Sequence, residues 1–182
     1  MAMGGLIMQE KSELEGKKVL IVDDEPDVLE LLEESLKMCQ VAAASSFEKA
    51  KELLDTQKFD IAVLDIMGVE GYRLLEMAVR KDIPAVMLTA HAFTPDNLVR
   101  SIKEGAASYL PKEEMPRIAE FLVDVLEARK KGISPWEPWA EKLPSSYFER
   151  RFGAMWRASD KKFLDQFREN LRPRVKNQGK SA

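Results

Sequence analysis

Four short apolar runs in this chain each end on a group that can do chemistry. Val19-Leu20-Ile21-Val22 runs into Asp23-Asp24, and Ile61-Ala62-Val63-Leu64 runs into Asp65. Ala85-Val86-Met87-Leu88 runs into Thr89, and Tyr109-Leu110-Pro111 runs into Lys112. Runs of this kind read as buried parallel strands. In an open α/β sheet the functional crevice lies at the carboxyl ends of the strands. Groups that end separate strands therefore converge, here as three acids, one ammonium and one hydroxyl.

Crowded carboxylates repel one another unless a cation joins them. Hard oxygen donors favour magnesium, which binds through one or two carboxylates and keeps several waters. Such an ion, bridging Asp24 and Asp65, would also neutralise an incoming phosphoryl group, whose transfer depends mainly on positioning and electrostatics. Lys112 can hold one phosphoryl oxygen as a point charge, and Thr89 can donate to another. Asp65 can be the nucleophile itself, because carboxylates form acyl phosphates. Taken singly, each residue has a plainer reading. An aspartate pair after a strand often just starts a helix, a lysine there is usually solvated, and a threonine caps or packs. The combination, in this order on one α/β pattern, carries the expectation.

Positioning these groups takes five strands alternating with five helices. The patterns predict strands over 18–22, 41–44, 59–64, 83–88 and 107–110, the second weakened by its alanines. Pro26 opens a helix, with Asp24, Glu25 and Asp27 supplying negative charge to its first turn. Ser45 with Glu48 reads as a capping box. Gly68 and Gly71 flank a loop before a third helix. Thr94-Pro95 reads as an N-cap followed by an N1 proline, and Gly105 as the residue just past that helix. Pro116 opens the last helix of this unit. Alternation of this kind gives a parallel sheet covered on both faces, with right-handed crossovers.

The chain has 182 residues and a net charge of −3, unevenly spread. Residues 133–182 hold 11 Lys/Arg against 6 Asp/Glu, and 1–132 hold 17 against 25, so two electrostatically different pieces join near Lys130-Lys131-Gly132. Cys39 is the only cysteine. An intrachain disulfide is excluded, and a cytoplasmic location is the default expectation. No apolar run approaches the roughly 20 residues of a membrane span. Residues 1–16 lack the basic start and long apolar stretch of a signal peptide and read as a loose leader.

Eight of the fourteen aromatic residues lie beyond residue 132, including Trp136, Trp139 and Trp156. Pro135, Pro138 and Pro144 are expected to break the start of this region into turns. Ser145-Ser146 precedes a helical stripe of Phe148, Phe152, Met155 and Trp156, and Ser159-Asp160 precedes another of Phe163, Leu164, Phe167 and Leu171. Some fifty residues do not easily build a core of their own. Residues 131–171 are therefore expected to form a helical extension docked on the first unit or on a partner, and 172–182 a disordered tail. Basic residues among the aromatics leave a nucleic-acid role as a minor alternative.

Residues 17–130 resemble the receiver domain of two-component response regulators. The resemblance rests on KKVLIVDDEPDVLELLEESL, FDIAVLDIM, IPAVMLTAH and GAASYLPKE. It implies a flavodoxin-like, doubly wound, five-stranded parallel sheet in the order 2-1-3-4-5. It implies Asp65 as phosphoacceptor, with Asp23, Asp24, Asp65 and the Met67 carbonyl as magnesium ligands. Thr89 would be the switch hydroxyl, Lys112 the phosphate-binding lysine, and Tyr109 the aromatic that changes rotamer. Met67 and His91 would line the approach of water to the phosphoryl group, and an apolar Met67 there implies slow self-dephosphorylation.

The partners so implied are a histidine kinase or phosphotransfer protein and a downstream protein target, with a homodimer as one arrangement. Three features depart from the family pattern. The loop Met67-Gly68-Val69-Glu70-Gly71 is about two residues short and lacks a proline, Glu113 stands where a proline usually follows the lysine, and the second strand is alanine-rich. They motivate an alternative, a pseudo-receiver that binds partners without ever taking phosphate.

Overall fold

The structure, a computed structural model, describes residues 2–90 and 94–171. Five strands, β1 (Lys18–Val22), β2 (Gln40–Ala44), β3 (Ile61–Asp65), β4 (Ala85–Thr89) and β5 (Ser108–Pro111), form one parallel sheet in the order β2-β1-β3-β4-β5. β3 and β4 are buried along their whole length, which is why their sequences read as unbroken apolar runs rather than alternating ones. The flavodoxin-like architecture is as the motifs imply.

Register brings the chemistry together. Val22 pairs with Leu64, Asp65 with Leu88, and Thr89 with Pro111. Asp23, Asp65, Thr89 and Lys112 therefore leave the sheet at one edge, on neighbouring strands. β1 starts where expected, and the other four strands start one or two residues from their expected positions. Asp60, for example, sits in an entry turn, its carboxylate accepting from Lys18 N at 2.8 Å.

Helices α2 (Pro26–Ser35), α3 (Phe47–Thr56), α4 (Gly71–Arg80), α5 (Pro95–Lys103) and α6 (Ile118–Lys131) cover the sheet. Thr94 caps α5, its hydroxyl accepting from Asn97 N at 3.2 Å. The cap of α3 is Ser46, which accepts from Lys49 N, so the Ser45–Glu48 box does not form. Pro116 does not open α6. It lies inside a 3₁₀ turn over Lys112–Arg117, and α6 starts at Ile118. Arg117 at that junction pairs with Glu114 and Glu120, one on each side of the change of geometry.

Where the sequence suggests a loose leader, Ala2–Leu14 form a helix, α1. Leu14 is fully buried, Glu13 pairs with Lys130, and Gln9 Nε2 donates to Glu127 at 2.7 Å. The two polar anchors come from α6, far along the chain, so periodicity within residues 2–14 gives no hint of them. Met3, Ile7 and Met8 remain exposed.

Beyond Gly132 the chain forms α7 (Trp136–Lys142), α8 (Ser145–Phe152), a 3₁₀ turn over Gly153–Met155, and α9 (Ala158–Leu171). Pro138 does not break α7, because it falls in the first turn, where a missing N–H costs nothing. α8 stops at Gly153, whose φ of +46° reverses the chain and brings the Trp156 ring to 5.2 Å from Phe152 and 5.9 Å from Phe148. The expected tail, 172–182, lies outside the described residues.

The extension docks on α5, β5 and α6. Trp136 Nε1 donates to Ala106 O at 3.0 Å, and Trp139 Nε1 to Tyr109 O at 2.9 Å. β5 is an outer strand, and the Trp139 indole N–H bonds one of its carbonyls, while Trp136 bonds one in the segment that leads into it. Trp139, Phe148, Phe152 and Leu164 are buried, and ion pairs Arg151–Glu113, Arg157–Asp96 and Lys142–Asp124 ring the contact. The excess positive charge of the extension thus meets the excess negative charge of the sheet-bearing unit.

Candidate functional site

Lys112 points inward. Its side chain is only 12% exposed, and its Nζ lies 2.7 Å from Glu25 Oε1, 2.8 Å from Asp23 Oδ2 and 3.5 Å from Asp65 Oδ1. Glu113, in place of a proline, leaves it so aimed. Asp23, Asp65 and Thr89 are all buried. Asp23 Oδ1 accepts from Glu25 N at 2.9 Å, which fixes the carboxylate at the start of α2. Asp23 Oδ2 meets Lys112 as an ion pair at 2.8 Å, and a carboxylate oxygen with one such contact keeps acceptor capacity. Thr89 Oγ1 is buried with no hydrogen-bond partner among the described residues. A buried hydroxyl of this kind is costly unless something pairs with it.

Burial pushes the Asp65 carboxyl up to about 7, with the Asp23 and Asp24 charges adding to the shift and Lys112 opposing it. Asp23 is also raised by burial, against the pull of Lys112 and of Glu25 N–H. Burial works against the Lys112 ammonium, but its bonds to Asp23 and Glu25 and the charge of Asp65 hold its pKa above the ordinary value. The sheet edge is thus a concentration of negative charge around one cation.

The short loop after Asp65 is closed by two glycines. Gly71 N donates to Ile66 O, and a Cβ on Gly71 would stand 2.1 Å from the Asp65 carbonyl oxygen. Gly68, at φ +83°, lies where a Cβ would sit 2.4 Å from Asp24 Oδ2. Glu70, in a left-handed conformation, then starts α4. Five residues thus carry the chain from the end of β3 into α4. Met67 follows Asp65 by two residues and is 61% exposed, so its side chain does not pack into the loop. Tyr109 is fully buried, and its hydroxyl hydrogen-bonds the backbone of Thr94. His91 lies outside the described residues.

The tightest carboxylate group among the described residues is Asp23, Asp24 and Glu25, with ligand atoms all within 4.8 Å of one another. Asp65 is not one of the three, although Asp23 and Asp24 both act on it electrostatically. The donor set is all hard oxygen, and Asp23 Oδ2 has acceptor capacity to spare, so these residues fit magnesium. Sequence reasoning missed Glu25, which it counted only as charge on a helix start. Its position directly after Asp23-Asp24 was the available signal.

A five-stranded 2-1-3-4-5 sheet carrying an acidic crevice, a buried threonine and an inward lysine defines a receiver fold. The family model for the response regulator receiver domain matches residues 19–122, more than half of the chain, and the chain belongs to that family. It is 35% identical over 119 residues to the two-component response regulator ARR12 of Arabidopsis thaliana, covering 59% of this chain and 20% of that protein. It is 33% identical over 147 residues to ARR18 of the same plant, covering 75% of this chain and 23% of that protein. The chain therefore spans about a fifth of the length of these relatives. A response regulator receiver domain protein (CheY-like) from Methanospirillum hungatei JF-1 superposes with a TM-score of 0.59 at 29% identity, covering 64% of this chain and 98% of that one. Among the described residues, no helix is long and apolar enough to cross a membrane.

Proposed function

We propose that this chain is a phosphorylatable receiver in which Asp65 accepts a phosphoryl group from a histidine kinase or phosphotransfer protein. The observation that carries this reading is the inward Lys112 ammonium, placed among Asp23, Glu25 and Asp65, with the buried Thr89 hydroxyl at the end of the neighbouring strand and without a hydrogen-bond partner among the described residues. An Asp65 oxygen attacks phosphorus, the P–N bond to the donor imidazole breaks, and the imidazole leaves with a proton. Asp23, Asp24 and Asp65, with the Met67 carbonyl, would hold magnesium. When bound, that ion supplies neutralisation of the carboxylates and of the transferred group.

Lys112 and Thr89 then take phosphoryl oxygens, one by charge and one by donating its hydroxyl hydrogen. The new negative charge draws Thr89 in, and Tyr109 repositions with the backbone that carries it. Tyr109 is on β5, and its own carbonyl holds the extension through Trp139. Output passes through the α5 face and the extension as a change in protein contacts, to a downstream protein or a second copy of the chain.

Incubation with magnesium and acetyl phosphate, followed by intact-mass measurement, tests the proposal. Wild type gains the mass of one phosphoryl group and Asp65→Asn gains none. A wild type that gains nothing is instead a pseudo-receiver, the reading that the short loop and Glu113 first motivated.

A further inference from the structure

Lys112 has three N–H donors, and three carboxylates surround it. To reach a phosphoryl oxygen it must give one of them up. Asp23 cannot leave easily: it is fully buried, and its other oxygen is fixed by Glu25 N at 2.9 Å. Asp65 is the proposed acceptor and makes the longest of the three contacts, 3.5 Å. Glu25 is different. It makes the shortest contact, 2.7 Å, yet its side chain is 60% exposed. A carboxylate that can rotate into water pays little desolvation on leaving. Its backbone is held at the N-terminus of α2, where its carbonyl accepts from Val28 N and Leu29 N, so the side chain can swing without moving the helix.

We infer that Glu25 is a positioning residue for phosphoryl transfer, a placeholder that holds Lys112 inward in the unphosphorylated protein and yields its place to a phosphoryl oxygen. This rests on the reading of Asp65 as acceptor. Glu25 keeps the ammonium neutralised and aimed while the site waits. The same contact competes with the incoming group, because Lys112 cannot serve both fully. Glu25 therefore sets how readily the site loads, at the cost of loading speed.

Glu25→Gln keeps shape and removes the charge. With acetyl phosphate and magnesium, this variant is expected to be phosphorylated about threefold faster than wild type, a factor typical of one exposed ion pair. In a Lys112→Met background the same change is expected to have no effect. Phosphoramidate, a donor of different charge, should show the same ratio. An effect that survives in Lys112→Met, or that follows donor charge, would mean that Glu25 merely repels anions, and it would overturn the inference. So would a slower Glu25→Gln. A second cycle needs no phosphate: unfolding of wild type, Glu25→Gln, Lys112→Met and the double variant should show a coupling of about threefold in the unfolding equilibrium. Additive changes would refute the Glu25–Lys112 link. Should wild type take no phosphoryl mass at all, the proposed function fails, and this second cycle alone decides whether Glu25 holds the lysine.

Discussion

The indole of Trp139 donates to the backbone carbonyl of Tyr109 at 2.9 Å, three residues before Lys112 on the same strand and turn. The extension is thereby hydrogen-bonded to the strand that carries the candidate switch. Trp139→Phe removes this hydrogen bond, which should cost about 0.5–1.5 kcal/mol in chemical denaturation. All three tryptophans of the chain lie in the extension. Intrinsic fluorescence should therefore change when the wild type is phosphorylated and stay constant in Asp65→Asn. An unchanged spectrum in phosphorylated wild type would uncouple the extension from the site.

Gly71 should tolerate no side chain. Its Cβ would lie 2.1 Å from the Asp65 carbonyl oxygen, and backbone cannot rotate away as a side chain does. Gly71→Ala should destabilise by about 2 kcal/mol or more and slow phosphorylation, since the strain falls on the acceptor's own peptide. Gly4→Ala, in α1 with nothing within 4 Å of the new Cβ, is the control and should be neutral or slightly stabilising. Equal stability of the two variants would show that the loop after Asp65 is not closed as described.

Stability without metal should fall with rising pH through the Asp65 carboxyl. Its folded pKa of about 7 lies above the ordinary value of 3.8, so between those values the folded state binds more protons than the unfolded chain. This contribution is fully present at low pH and is lost as pH rises through about 7. Asp65→Asn should therefore gain stability over wild type between pH ~5 and pH ~8 by on the order of 2 kcal/mol, measured in chelator. Magnesium should then stabilise wild type more at pH ~8 than at pH ~5, because protons and the ion compete for the same oxygens. A variant that loses stability relative to wild type over that range would reverse the sign.

Met67 offers no group to orient water. The phosphorylated protein should lose its phosphoryl group slowly, and Met67→Asn should shorten that lifetime severalfold without altering unfolding, since the side chain is largely exposed. A lifetime that Met67→Asn leaves unchanged would place control of hydrolysis elsewhere.

The sheet, and which residues it brings to one end, were legible because β1, β3, β4 and β5 are largely buried on both faces and run into a polar group, a pattern that survives without knowledge of contacts. The placement of Lys112 was less so: its charge is visible in the sequence, but not that three acids hold it inward. Glu25 was overlooked because an acid at a helix start has an ordinary explanation. α1 was missed for the opposite reason. Its own pattern is weak, and Glu13 and Gln9 are held by α6, more than a hundred residues away in the chain. α7 went unread because prolines were counted as breaks, whereas Pro138 falls in a first turn.

The most direct test locates the acyl phosphate itself. After phosphorylation with acetyl phosphate and magnesium, reduction with borohydride converts an aspartyl phosphate to homoserine, and peptide mass analysis finds the altered residue. Homoserine at position 65, and at no other aspartate, is the predicted result. Homoserine at Asp23 or Asp24, or none in a protein that binds magnesium normally, would contradict the assignment of Asp65 as the acceptor.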